Sequence, residues 1–284
     1  MPELPEVETV RLGLNEATCG KAIAEVEVLL PRTVAYPSVD RFQEGLQGAQ
    51  ILTWTRRGKY LLAQLGQAGS KTDRPAGWLG VHLRMTGQLL WLSDSTPPSK
   101  HTRVRLRFDR HRELRFVDQR TFGQMWWIPP TEDPNIVVAG MGALGPEPLS
   151  AEFSPAYLMA VAKGRDRPIK NALLDQTLIA GLGNIYVDES LFVSGIHPTR
   201  RCRSLTATEL ETLHGAIATV IQKALKEGGT TFSDFRQVTG INGNYGSIAW
   251  VYRRTGEPCR TCATPIAKIR MAGRSCHFCP VCQP

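Results

Sequence analysis

The chain has 284 residues, with 34 Lys and Arg against 26 Asp and Glu, a net charge of +8 and a pI near 9.3. Hydrophobic residues make up 42% and charged residues 21%, ordinary globular proportions that exclude a disordered, collagen-like or coiled-coil chain. No apolar run approaches the roughly 18 residues that a membrane span needs. The opening MPELPEVETV is not the basic, apolar form of a secretory or organellar leader, so a cytoplasmic protein is expected.

Pro5 followed by Val7, Val10 and Leu14 places apolar residues at helical spacing behind a first-turn proline, which predicts an N-terminal amphipathic helix. The next stretches, Lys21 to Leu30, Ile51 to Leu65 and Trp78 to Leu92, are β-branched or aromatic and broken by Gly and Pro, and read as strands. Arg103 to Phe108 alternates strictly, and a turn at Asp109 to Arg112 leads into Leu114 to Val117, a hairpin with arginines on one face. Residues 1–128 are therefore a β-rich domain with a helix at its front.

From Pro129 to Ser150 five prolines and three glycines interrupt any period, and this segment is read as a linker. Helical patterning follows over residues 151–246. Ser154 and Pro155 form a cap and first-turn pair with Gly164 as the stop, and Ile169 to Leu174 is followed by a glycine turn and a helix over Ile185 to Phe192. Leu205, Thr206, Glu209 and Leu210 form a hydrophobic staple around a capping box, opening a helix that runs to Gly228. Residues 247–284 are set apart by their cysteines.

Charge is uneven along the chain. Lys100 to Arg120 holds eight basic residues against Asp109, Glu113 and Asp118, and Trp250 to the end holds six against Glu257. Two basic stretches fit a polyanion gripped from two sides, because Lys and Arg gain affinity by displacing counterions from phosphates. A pair of solvated faces is the plainer alternative. The turn Gly181-Leu182-Gly183-Asn184 opens a helix whose first amides suit a phosphate, with Arg165, Arg167 and Lys170 nearby.

Seven cysteines, most of them crowded at the C-terminus, do not suit a secreted disulfide framework. Cys259-x2-Cys262 and Cys279-x2-Cys282 suit one tetrahedral zinc, with Cys276-x2-Cys279 an equally spaced alternative pair that spacing disfavours. Four sulfurs leave no open coordination position, so such a zinc is structural. Arg274 sits inside the clipped hairpin, five residues before Cys279. At the other end, removal of Met1 would make Pro2 a secondary α-amine with a reference pKa of roughly 7.7 to 8.0, neutral often enough at pH 7 to attack carbon and form an iminium. Glu3 beside it can act as a general acid.

Taken in order, PELPEVET, Arg57-Gly58-Lys59-Tyr60, His82-Leu83-Arg84-Met85-Thr86-Gly87, Asp118-x-Arg120-x-Phe122-Gly123, Gly145-Pro146-Glu147-Pro148-Leu149, Gly183-Asn184-Ile185-Tyr186 and the cysteine quartet resemble bacterial formamidopyrimidine-DNA glycosylase from Pro2 to Cys282. The resemblance implies an α+β fold of two domains. An N-terminal β-sandwich with its leading helix precedes a helix-two-turn-helix domain ending in a β-hairpin zinc finger, and damaged double-stranded DNA lies between the domains. It also implies a monomeric repair enzyme, nucleoid-associated through DNA, that removes oxidised purines such as 8-oxoguanine and formamidopyrimidines and then cuts the strand by β,δ-elimination. By the same resemblance Pro2 is the Schiff-base nucleophile, Glu3 the acid, Lys59 the proton donor in β-elimination, and Arg274 the aid to δ-elimination.

His101, Arg120 and Arg165 match family DNA contacts, His82 and Asn184 phosphate contacts, and Met85, Arg120 and Phe122 the side chains that fill the gap left by a flipped base. An enzyme that acts on a stacked base must extrude it, and apolar wedges offset the lost stacking. Arg103 stands where many relatives carry a second His, Gln67 to Ala76 reads as a surface-loop insertion, and Gly228 to Gly246 resembles the loop that covers the flipped base. Two rival readings are an endonuclease VIII type acting on oxidised pyrimidines and a non-enzymatic zinc-ribbon binder of nucleic acid.

Overall fold

In the computed structural model, residues 1–69, 75–108, 111–230, 238 and 243–284 are described. The turn expected at Asp109, much of the insertion expected over Gln67 to Ala76 and most of the loop expected over Gly228 to Gly246 lie outside them. The chain divides into two compact units, Met1–Gly142 with Thr230–Gly243, and Ala143–Gly229 with Asn244–Pro284. Thr230–Gly243, which helical patterning groups with the second unit, thus belongs to the first. Its anchors are Thr230, bound to Glu6, and Val238, which is buried in the first unit's core.

The first unit opens with α1 (Leu4–Thr18), whose Val7, Val10 and Leu14 are buried at the expected helical spacing. There follow β1 (Glu25–Val28), β2 (Val34–Tyr36), α2 (Val39–Leu46), β3 (Ala49–Arg57), β4 (Tyr60–Gln67), β5 (Pro75–His82), β6 (Gly87–Ser93), β7 (Thr102–Arg107), β8 (Arg112–Asp118) and β9 (Gln124–Ile128). The runs Ile51 to Leu65 and Trp78 to Leu92 are each two strands. Gly58, at φ +55, turns the first run and the loop 83–86 divides the second. The strands form two sheets, ordered β1-β7-β8-β6 and β2-β9-β5-β4-β3. Val104, Leu106, Leu89 and Phe116 of one sheet share a core with Ile51, Leu61, Leu79, Val81 and Met125 of the other, so the architecture is a β-sandwich.

Asn15 locks α1 to β3. Its side-chain amide donates to the Trp54 carbonyl at 3.0 Å while its oxygen accepts the Trp54 amide at 2.9 Å, the two-point pattern of a strand neighbour. The Trp54 indole donates to Thr18, and Arg56 pairs with Glu8 at 3.0 Å. Because α1 is fixed at several points, the residues at its start are held in place as well.

After α3 (Pro134–Val137), the second unit contains α4 (Pro155–Ala162), α5 (Ile169–Leu173), α6 (Asn184–Val193), α7 (Ala207–Lys226), α8 (Tyr245–Ile248) and the antiparallel pair β10 (Ala267–Met271) and β11 (Arg274–Phe278). Ser154 caps α4 through the Tyr157 amide, and Thr206 with Glu209 makes the capping box of α7. Leu210, Leu213, Ile217, Val220 and Ile221 bury one stripe of α7, which packs on α6. The β10–β11 hairpin rests on α6: Phe192, Val251, Ile266, Cys259 and Cys279 form a small cluster, and the buried Glu189 carboxylate accepts the amides of Trp250, Val251 and Tyr252. Among the described residues no helix is long and apolar enough to cross a membrane.

Candidate active site

Pro2, Glu3 and Lys59 are all buried in the first unit, Glu3 at 3% and Lys59 at 6% exposure. Burying ionisable groups is costly unless structure or chemistry requires them. Glu3 caps α1, and its amide donates to the Glu6 carboxylate at 2.8 Å. The other Glu6 oxygen accepts the amide of Thr230 at 2.7 Å and its hydroxyl at 2.9 Å. Glu6 thus joins the backbone beside Pro2 to a residue 224 positions away, a role not assigned from the sequence although Glu3-x-x-Glu6 has the spacing of a capping box. Lys59 occupies the two-residue turn between β3 and β4, next to the Arg56–Glu8 pair that ties this hairpin to α1.

His82, at the end of β5, packs edge-on against Tyr60 and accepts the Arg84 amide through Nδ1 at 2.9 Å. Burial, with Arg84 and Lys59 adding repulsion, pulls its imidazole down to about 3. A neutral ring with Nδ1 accepting carries its proton on Nε2, so it can give a phosphate oxygen a hydrogen bond but no charge.

Met1, Arg32, Arg84, Met85, Thr121, Phe122, Gly123 and Gln124 line an open recess of about 520 Å³. Met85 and Phe122 are 39% and 52% exposed, and the Arg120 guanidinium lies 4.9 Å over the Phe122 ring. Arg84 and Thr121, which precede the two apolar side chains, have φ of +51° and +58°. Left-handed backbone at non-glycine residues costs on the order of 1–3 kcal/mol each. His101 is half-buried and bonded to Arg103 at 3.3 Å.

The hairpin arginines correct the charge count. Arg105 pairs with Glu27 at 2.8 Å and with Glu113 at 2.9 Å, Arg107 with Glu25 and Glu27, and buried Arg115 with buried Glu113. Two of these acids come from β1, which is distant in sequence, so Arg105, Arg107 and Arg115 are bound within the protein rather than presented to a polyanion.

In the second unit Arg165 is exposed, whereas Arg167 is bonded to Asp175 and Lys170 is fully buried against Asp188 at 2.6 Å. Those two were expected to favour phosphate at the glycine turn and are instead used internally. Gln176 braces that turn by accepting the Gly181 amide and donating to the Leu182 carbonyl. The Asn184 side-chain amide donates to the Ser275 carbonyl at 2.9 Å, and Lys170 reaches the same carbonyl at 2.9 Å. Asp188 also accepts the His277 amide. Three side chains of the helical unit therefore fix the strand that begins at exposed Arg274, a support that sequence spacing does not reveal.

The sulfurs of Cys259, Cys262, Cys279 and Cys282 all lie within 4.8 Å of one another, with pairs at 3.9 and 3.4 Å. A zinc with four Zn–S bonds of roughly 2.3 Å places its sulfurs about 3.8 Å apart, so the quartet fits one structural zinc. Cys276 is fully buried beside Asp188 and pushed up to about 12 by burial, and it lies outside the quartet.

Three family models cover most of the chain: the Formamidopyrimidine-DNA glycosylase N-terminal domain over residues 1–125, the Formamidopyrimidine-DNA glycosylase H2TH domain over 144–236, and the zinc finger found in FPG and IleRS over 256–284. The chain belongs to the formamidopyrimidine-DNA glycosylase family. The formamidopyrimidine-DNA glycosylase of Acaryochloris marina is 60% identical over 285 residues, covering 100% of this chain and 99% of the relative. Among solved structures, the Lactococcus lactis Fpg in complex with an abasic site containing DNA is 35% identical with a TM-score of 0.89 over 99% of both chains. A MutM in complex with carbocyclic 8-oxo-G containing DNA matches with the same identity, TM-score and coverage. The protein is thus a base-excision-repair enzyme, of a family with glycosylase and abasic-site lyase activity.

Proposed function

We propose that this protein removes oxidised purines from double-stranded DNA through an N-terminal proline Schiff base and then cuts the strand by β,δ-elimination. The observation that carries the reading is the position of Met1. It lines the recess bounded by Met85 and Phe122, directly before buried Pro2, so its removal exposes a secondary amine beside the two apolar side chains that would enter the gap of an extruded nucleotide. The Pro2 nitrogen bonds to C1′ as the base leaves with its electron pair and takes up a proton. Glu3 protonates the ring oxygen, the sugar opens, and loss of the amine proton leaves an iminium. Lys59 is the proton donor in β-elimination, and Arg274 assists δ-elimination.

Met85 and Phe122 fill the space left by the base, with Arg120 directed to the orphaned partner. His101 and Arg165 contact DNA, and His82 and Asn184 contact phosphate, His82 as a neutral donor. Cys259, Cys262, Cys279 and Cys282 hold the zinc, which supplies folding to the finger and no chemistry to the sugar.

The Arg120-x-Phe122 pair and the PELPEVET opening favour oxidised purines over pyrimidines. Side-by-side cleavage of duplexes containing 8-oxoguanine or thymine glycol tests this. Faster cutting at 8-oxoguanine is expected; faster cutting at thymine glycol favours the endonuclease VIII type, and binding without strand cleavage favours a non-enzymatic binder.

A further inference from the structure

Met85 and Phe122 stand on two loops that cross between the sheets side by side. His82 pairs with Gln124 in one sheet and Gly87 with Asp118 in the other, so the loop 83–86 and the loop 119–123 start and finish next to each other. Each apolar side chain follows a left-handed non-glycine residue, Arg84 or Thr121, the latter β-branched. Such conformations persist only where the surroundings over-determine them.

Asp118 bonds both loops at the residues flanking these positions. It is 1% exposed; Oδ1 accepts the Thr86 hydroxyl and, at 3.3 Å, the Arg120 amide, while Oδ2 accepts the Gly123 amide at 2.7 Å. The Thr86 hydroxyl oxygen in turn accepts the Arg120 amide at 3.0 Å. Glycine is required at 123, because a Cβ there would sit 2.4 Å from the Phe116 ring. From the other side the His82 imidazole accepts the Arg84 amide, and the Arg84 guanidinium donates to Gln124.

We propose that Asp118 is a positioning residue for base extrusion: one buried carboxylate fastens the loop carrying Met85 to the loop carrying Arg120 and Phe122, so that the wedge meets DNA already formed. The proposal rests on the glycosylase reading above and gives Asp118 no contact with substrate. A preformed wedge offsets lost stacking without first being ordered, whereas a loosened one must be ordered at the moment of insertion.

The test compares two substrates for the Met1-processed protein: a duplex with 8-oxoguanine, whose base must be extruded, and a duplex with an abasic site, where no base remains to be extruded. For Asp118→Asn, single-turnover excision of 8-oxoguanine should fall by about 100-fold, the effect of a small misplacement, while abasic-site cleavage is retained. A 2-aminopurine beside the lesion should lose its fluorescence rise in step with excision. Thr86→Val removes one hydroxyl from a half-buried loop residue and should show the same selective loss at smaller size, with the double variant no worse than Asp118→Asn alone. Should Asp118→Asn fail to fold, Thr86→Val carries the test. Equal losses on both substrates, or unchanged excision in either folded variant, would overturn the proposal. A wild-type protein that cuts abasic DNA but never releases 8-oxoguanine would instead overturn the functional reading beneath it.

Discussion

The β7–β8 hairpin and the β10–β11 hairpin are both short antiparallel pairs rich in basic residues, yet the two are stabilised in opposite ways. In the first, Arg105, Arg107 and Arg115 are paired with Glu25, Glu27 and Glu113, and Glu113 is completely buried. In the second, Lys268, Arg270 and Arg274 are exposed and carry no ion pair among the described residues. Glu113 and Arg115 are buried in β8, and a buried charge must find a partner. A finger too small to have a core of its own relies on its metal, and its side chains stay available for an outside anion. Equal local surpluses of charge therefore mean different things, and burial decides which.

The largest effect that could break this comparison is on the metal. Chelation, or Cys279→Ser, should remove on the order of 10 kcal/mol of local folding free energy from the finger. Amide exchange should accelerate across residues 256–284 while the sandwich stays protected. Unchanged exchange in the finger would mean that apolar packing on α6, not zinc, holds it.

The next effect belongs to the sandwich. Glu113→Ala strands the buried Arg115 guanidinium and should cost about 3–5 kcal/mol in urea unfolding. A loss below about 1 kcal/mol would class the network with ordinary surface pairs.

The smallest effect on stability sharpens the contrast from the finger side. Lys268→Gln with Arg270→Gln should leave stability within about 0.5 kcal/mol. The same change should lower the salt dependence of DNA binding by about 0.9 in log–log slope for each phosphate contact removed. An unfolding shift with no change in the salt slope would reverse the assignment.

Local signals carried much of this structure. Val7, Val10 and Leu14 mark α1, Thr206 and Glu209 mark the start of α7, and the alternation from Arg103 to Phe108 marks β7, because each rests on neighbours within a few residues. The helix α2 escaped the sequence reading, although Ser38 caps it and Phe42 and Leu46 are buried, because two apolar residues in a polar stretch make a weak period. Contacts between distant segments were not legible at all. The Glu6 bond to Thr230, the Glu25 and Glu27 partners of the arginines, and the hold of Lys170, Asp188 and Asn184 on the start of β11 exist only once the chain is folded. The cysteine quartet was legible because two CxxC pairs are unusual in type and spacing, whereas Lys59 enters the proposed mechanism through the family resemblance alone. Asp118 stood inside a quoted motif, yet its function is to join two loops, which no single stretch displays.

The central claim is that one amine does the chemistry, and covalent trapping tests it most directly. Protein lacking Met1 is incubated with an 8-oxoguanine duplex in the presence of borohydride, and the adduct is mapped by peptide mass. A reduced adduct on Pro2, absent when Met1 is retained, is the expected result. An adduct on Lys59, another buried amine of the sandwich, or full cleavage by protein that keeps Met1, would contradict the account.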